Sequence, residues 1–340
     1  MVSVFVTGAS GFIAQHIVKL LHEKGYSVVG TVRSSDKGEK LKANLGSRFQ
    51  YEVVPDISTA GAFDSALEKH PEVTVVLHTA SPFFYDTTDP EKDLMVPALE
   101  GTTHILSAVK KYAPQVNRFV ITSSDAAFYS ADDEQDGTLS FDESSWNNIG
   151  WEEATKDPIS AYYGAKSYAE KKAWEIARQE DTKFVLTAVN PVYVFGPQAF
   201  ANEVKPVLNT SNELINNLLK IGPTGAFDND KGGFIDVRDV AKAHVLAFEL
   251  EEAKNKRLSL TNGKFSTQMM VDILNSHFEK ELKGKIPLGT PGSGPKDIST
   301  LAKVSNIKTK EILNFDFHTL EDIVIDTVQQ VFDFQNKNRI

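Results

Sequence analysis

The stretch Val2-Ser-Val-Phe-Val-Thr-Gly-Ala-Ser-Gly-Phe-Ile-Ala14 runs from a β-branched, aromatic segment straight into a glycine-rich loop. Residues 2–7 have the composition of a buried strand. Ile13, Ile17, Leu20 and Leu21 then recur at helical spacing, which predicts a helix over Phe12–Glu23 that Gly25 stops. Between the two, Gly8 suits a tight turn and Gly11 lets a pyrophosphate approach the backbone. Ala14 lets the helix pack closely on a sheet. The free N–H groups of Ser10, Gly11, Phe12 and Ile13 sit at the positive end of that helix and make an anion site. The spacing is Gly-x-x-Gly-x-x-Ala. Its place between a strand and a helix gives it a weight that a glycine loop alone lacks.

Outward from this motif the same alternation continues. Further strands are predicted at Ser27–Val32, Gln50–Val54, Val73–His78 and Arg118–Thr122. Helices are predicted between them at Lys37–Asn44, Gly61–Lys69 and Leu94–Lys111. Repeated βαβ units of this size imply an α/β fold, a Rossmann-type doubly wound parallel sheet with a smaller C-terminal substrate-binding domain. An acidic excursion opens at residues 131–137, followed by a helix from Ala161 to Gln179 and a strand over Lys183–Val189. Later helices fall near Asn212–Leu219, Val237–Leu250, Gln268–Phe278 and Leu320–Phe334, with a Gly/Pro-rich loop at Ile286–Gly294. The division expected is residues 1–190 for the cofactor and 191–340 mainly for substrate, with some later elements rejoining the first domain.

Composition narrows the chemistry. The 340 residues contain 36 Lys+Arg and 46 Asp+Glu, a net charge of −10, and no cysteine. Thiolate metal sites, disulfides and cysteine nucleophiles are thereby excluded. An isoelectric point near 5.4 argues against nucleic acid or an anionic membrane as partner. The N-terminus lacks the basic and apolar segments of a signal peptide, and no run of about 18 apolar residues occurs. A cytoplasmic protein is expected. No histidine or carboxylate spacing suggests a metal.

The end of the second strand selects the cofactor. An NAD site places Asp or Glu there for the ribose 2′-OH. Here Arg33 can fork onto a 2′-phosphate and Lys37 adds a second charge, which points to NADPH. Asp56, followed by Ile57, is placed to accept from the adenine amino group. The small residues Thr79, Ala80 and Ser81 let a cofactor run across the strand ends. His78 is expected to be buried and satisfied by backbone.

Tyr162 and Lys166 stand at i and i+4 on a predicted helix, hence on one face, and Ser124 ends the fifth strand. Carbonyl reduction needs a proton donor where the alkoxide develops. An ammonium group beside a phenol favours the phenolate and brings its proton within reach of neutral pH. Ser124 would orient the carbonyl, and Lys166 would also hold the nicotinamide ribose. Tyr163 competes with Tyr162 for this role.

With these residues in place, the chain resembles the extended short-chain dehydrogenase/reductases. More narrowly, it resembles the yeast NADPH-dependent methylglyoxal (3-methylbutanal) reductases, which are similar to plant dihydroflavonol 4-reductases and cinnamoyl-CoA reductases. The resemblance rests on Phe12-Ile-Ala-Gln-His16, Val54-Pro-Asp-Ile-Ser58, Leu77-His-Thr-Ala-Ser-Pro-Phe83, residues 188–197 and residues 234–244. It implies a Ser124–Tyr162–Lys166 triad, with Tyr162 rather than Tyr163 as the acid and Pro191 and Val192 beside the nicotinamide. Phe83, Phe84, Phe128, Tyr129 and Tyr193 are candidate substrate-pocket residues, and Asp125 a further one. An acid at position 125 departs from the aromatic or small residue usual in such proteins. Either it faces the site and discourages anionic substrates or reshapes the pocket, or it faces solvent and changes little. The function implied is reduction of aldehydes or ketones to chiral alcohols. A sugar-nucleotide epimerase or dehydratase with bound NAD is the alternative. Either a monomer or a dimer is compatible with the sequence.

Overall fold

A computed structural model describes residues 2–81 and 87–338. Its strands in chain order are β1 (Ser3–Thr7), β2 (Ser27–Val32), β3 (Phe49–Val53), β4 (Val73–His78), β5 (Arg118–Thr122) and β6 (Ser140–Phe141). They continue with β7 (Val185–Pro191), β8 (Tyr193–Phe195), β9 (Lys231–Asp236), β10 (Arg257–Leu260), β11 (Lys264–Ser266) and β12 (Lys303–Val304). Seven form one parallel sheet in the order β10-β7-β5-β4-β1-β2-β3. The chain starts in the middle, moves outward to β3 and returns to β4 on the other side of β1. This reversal opens a crevice outside the carboxyl ends of β1 and β4, where such sheets bind ligands.

Helices cover both faces, so the inner strands are apolar on both sides, while the edge strand β3 carries polar and exposed residues. The two-residue period sorts the side chains. Val4, Val6 and Val28 face α1 (Phe12–Glu23), while Phe5 and Val29 turn to the other core beneath α3 (Val96–Tyr112). Between these two helices in sequence comes α2 (Ser35–Leu45), which follows β2. The long α4 (Pro158–Ala177) also packs on the second face through Ala173, Trp174 and Ile176. Its N-cap Asp157 accepts from the Ile159 and Ser160 N–H groups, and Pro158 opens the first turn.

Beyond β7 the chain divides its work. β8, β9 and β11 form a small sheet, antiparallel between β11 and β9 and parallel between β9 and β8. Its core joins Phe195 and Phe265 to Ile215, Met270, Leu274 and Val324. Two later elements return to the main sheet: α5 (Val237–Glu249) packs against the α1 face, and β10 pairs with β7. The short pair β6–β12 ties residues 140–141 to residues 303–304.

Most boundaries shift by one or two residues from the sequence reading. The helix expected over Gly61–Lys69 shrinks to Asp64–Glu68. Gly61 adopts a left-handed φ of +73° in a turn, and the helix starts only after it. The five described strands after β7 lie outside those expected from sequence: β8, β11 and β12 have only two or three residues, β10 has four, and β9 opens on Lys231-Gly-Gly, which lacks a strand's composition.

Candidate active site

The glycine loop is a cradle. Gly8 has φ of +64°, and a Cβ there would sit 3.1 Å from Ala80 Cα, so β1 and β4 approach closely only with glycine at this position. Gly11 is the N-cap of α1 and offers no side-chain cap, which leaves first-turn N–H groups available to an anion. Thr7 clamps the two strand ends: its Oγ1 accepts from Thr79 N–H at 3.0 Å and Ala80 N–H at 3.1 Å. The Thr7 hydroxyl proton is then left for His78 Nδ1, 2.9 Å away. His78 is therefore satisfied by a side chain and not by backbone, a correction to the sequence reading. Burial holds it neutral, with its pKa pushed down to about 3.

Arg33 and Lys37 are exposed beyond β2, and neither forms an ion pair among the described residues. Asp56 follows β3 in an exposed turn, accepting from Ser58 N–H at 2.9 Å and Ser58 Oγ at 2.7 Å. Those bonds lower its pKa. Ile57 packs near Gly101 of α3. The residues present fit a dinucleotide phosphate: a cradle that a Cβ would fill, free helix N–H groups, and two unpaired cations where a 2′-phosphate would lie. Ser10, Phe12 and Ile13 are half-buried in and after this loop, and Ser81 is half-buried three residues beyond β4. Phe83 and Phe84 lie outside the described residues.

Beyond the carboxyl end of β5, Ser124 meets α4. The Tyr162 hydroxyl donates to Ser124 Oγ at 3.2 Å. Lys166, one turn on, places its Nζ 5.9 Å from the Tyr162 ring centre. Burial lowers the Lys166 pKa to about 8, opposed by the charge of Glu170 a further turn along α4. Tyr163 is engaged elsewhere: its hydroxyl donates to Glu134 Oε2 at 2.5 Å. Pro191 and Val192 end β7 on the same side, and the Pro191 carbonyl lies 3.5 Å from Ser124 Oγ. Ser124, 38 residues before Tyr162, is thus brought to the Tyr162–Lys166 face of α4.

The pocket candidates separate. Phe128 is fully buried, with the Arg257 guanidinium 4.3 Å above its ring, so it belongs to the core and not to an open pocket. Tyr129 donates to Asp125 Oδ2 at 2.5 Å, and Ser124 Oγ lies 2.9 Å from Asp125 Oδ1. Asp125 is buried and turned inward, and burial raises its pKa against the bonds from Tyr129 and Ser124. Tyr193 is 41% exposed and stacks on Phe195. Tyr129, Glu134, Val192 and Lys264 line a cavity of about 260 Å³ whose walls include neither Ser124, Tyr162 nor Lys166.

Residues 4–260 match the NAD dependent epimerase/dehydratase family. The chain belongs to that family. Its extended short-chain reductase branch includes the NADPH-dependent methylglyoxal reductase of Saccharomyces cerevisiae, 48% identical over 98% of this chain and 99% of the relative. Among solved structures, the yeast methylglyoxal/isovaleraldehyde reductase complexed with NADPH superimposes with a TM-score of 0.95 at 48% identity, covering 99% of this chain and 100% of the other. A Candida albicans homologue in complex with NADPH gives 0.95 at 46% identity, covering 98% and 99%.

The extended short-chain reductase site holds residues that sequence reasoning missed. Glu170 is fully buried and accepts from Ser123 Oγ at 2.6 Å, Trp174 Nε1 at 3.0 Å and Asn190 Nδ2 at 2.6 Å. The same Asn190 amide donates to the Ser124 carbonyl at 3.0 Å. Glu170 continues the i, i+4 ladder of Tyr162 and Lys166, and that spacing was the available signal. Glu134 had none. Burial and the Asp125 charge push its pKa up to about 7, opposed by the Tyr163 hydrogen bond.

Proposed function

We propose that the protein is an NADPH-dependent carbonyl reductase acting on aldehydes or ketones to give chiral alcohols. The observation that carries this reading is the Tyr162 hydroxyl on Ser124 Oγ at 3.2 Å, with Lys166 one turn away, beside a loop suited to a dinucleotide. The names of the yeast relatives support methylglyoxal and isovaleraldehyde as first substrates to try. Exposed Arg33 and Lys37, where an NAD site carries an acid, support NADPH.

In this mechanism the bound cofactor supplies the hydride. Ser124 holds the carbonyl oxygen, and Tyr162 donates its proton to that oxygen as negative charge develops. The Lys166 ammonium stabilises the phenolate left behind, which solvent then reprotonates. Gly8, Ser10, Gly11, Phe12, Ile13, Arg33, Lys37, Asp56, Ile57, Thr79, Ala80, Ser81, Pro191 and Val192 serve the cofactor. Residues 1–190 carry that task and residues 191–340 mainly shape the substrate pocket, in a cytoplasmic enzyme. No described helix is long and apolar enough to cross a membrane.

The test is consumption of NADPH and of NADH against methylglyoxal, isovaleraldehyde and a bulky aryl ketone, with Tyr162→Phe as control. Turnover with NADPH that the variant loses is the expected result. Undiminished turnover in the variant overturns the assignment.

A further inference from the structure

A serine hydroxyl has one proton and two lone pairs. At Ser124 both lone pairs are in demand, from the Tyr162 hydroxyl at 3.2 Å and the Ala126 N–H at 3.2 Å. Its proton has two possible acceptors at rest, Asp125 Oδ1 at 2.9 Å and the Pro191 carbonyl at 3.5 Å. An ionised Asp125 takes that proton in a charge-assisted bond and withholds it from a substrate. It also places a negative charge beside the oxygen on which alkoxide charge develops. When a bound carbonyl takes the Tyr162 proton, one Ser124 lone pair is freed, and a neutral Asp125 then reverses the bond without moving a heavy atom: its O–H donates to Ser124 Oγ, while Oδ2 still accepts from Tyr129 at 2.5 Å.

We propose that Asp125 is a positioning residue that works in its neutral form, donating to Ser124 and so turning the Ser124 proton toward the substrate carbonyl. The inference rests on the reductase reading above and deepens it.

The surroundings favour the neutral acid. Asp125 is buried beside Ser124 and Tyr129 of its own turn. Glu134, on the short helix Ala131–Glu134, is a second acid within electrostatic reach. From α4 the site receives Tyr162, Tyr163 and Lys166, and Tyr193 of β8 lies near Tyr163. The cations across the 260 Å³ cavity are Lys264 and Lys310. Lys264 donates to the Leu301 carbonyl at 2.6 Å, and Lys310 lies over the Phe317 ring at 5.7 Å. Neither makes an ion pair with Asp125. Burial moves the Asp125 carboxyl upward, the direction that a neutral working form requires.

Asp125→Asn tests this, because the amide donates to Ser124 through Nδ2 and accepts from Tyr129 through Oδ1 at every pH. With NADPH and methylglyoxal, kcat of Asp125→Asn at acidic pH should fall far less than that of Asp125→Ala, which leaves Ser124 with no side-chain donor at this position. The parent should lose about tenfold per pH unit once Asp125 ionises. In Asp125→Asn that descending limb should move up to the region where Lys166 titrates, about 8. Superimposable limbs overturn the proposal. So does an Asp125→Asn variant that binds NADPH normally, by quenching of intrinsic fluorescence, yet is inactive at all pH. Infrared difference spectra of the parent and Asp125→Asn without substrate provide a readout independent of turnover. Both are compared in a Glu134→Gln background, because Glu134 is itself pushed up to about 7 and would lose its own band once Asp125 is replaced; the C=O band of a neutral carboxyl should then be lost in Asp125→Asn at neutral pH, and no such difference overturns the proposal. If the parent reduces no carbonyl at all, the reductase reading fails by itself, and the infrared band still decides the state of Asp125.

Discussion

Arg257 Nε donates to Glu170 Oε1 at 2.6 Å, joining the last strand of the central sheet to the helix that carries Tyr162 and Lys166. Both side chains are buried, and the guanidinium also lies 3.8 Å over the Trp146 ring. Through Glu170 the pair reaches Ser123 and Asn190, and through Asn190 the Ser124 carbonyl.

Removing one partner of such a pair strands the other charge in the interior. Arg257→Met should therefore cost about 3–5 kcal/mol in urea unfolding, and the double variant Arg257→Met/Glu170→Met clearly less. A cost below about 1 kcal/mol for the single change would mean that water reaches the carboxylate.

The two adjacent tyrosines have separate duties. Tyr162→Phe should lower kcat by about 10²–10⁴-fold through loss of the proton donor. Tyr163→Phe should retain most of kcat, since its hydroxyl serves Glu134. Equal losses would contradict the separation.

The proposed preference for NADPH rests on two exposed cations, Arg33 and Lys37. Arg33→Ala should weaken NADPH binding by about 1.5–3 kcal/mol, the cost of a charge-assisted bond, and leave NADH binding unchanged. Lys37→Ala should act in the same direction more weakly. Titration of each variant with both nucleotides measures the difference, and parallel losses for both would point away from the 2′-phosphate.

Acid should destabilise the protein through buried histidines. His16 and His244 are pushed down to about 4 and His78 to about 3, in each case chiefly by burial. The unfolded chain, with histidine near 6.5, binds more protons than the folded one between these values. Stability is then held above pH 6.5 and lost as pH falls, by up to about 1.4 kcal/mol per histidine per pH unit. Unfolding free energies across this range check it, and His244→Asn, which keeps a donor and an acceptor near Thr122 and Val240, should flatten the slope.

The sequence by itself determined β1 to β5 and β7 of the sheet and the glycine loop between β1 and α1. Strand period, glycine spacing and the charges at residues 33 and 37 are local signals, because β1, its loop and α1 follow one another along the chain. The i, i+4 step from Tyr162 to Lys166 is local in the same sense. Only the tertiary structure decided what meets across long separations. It buried Phe128 under Arg257, drew β10 back into the main sheet, gave Tyr163 to Glu134 and turned Asp125 onto Ser124. These depend on desolvation and on counting donors against acceptors in a closed space. Neither quantity exists until the chain has folded.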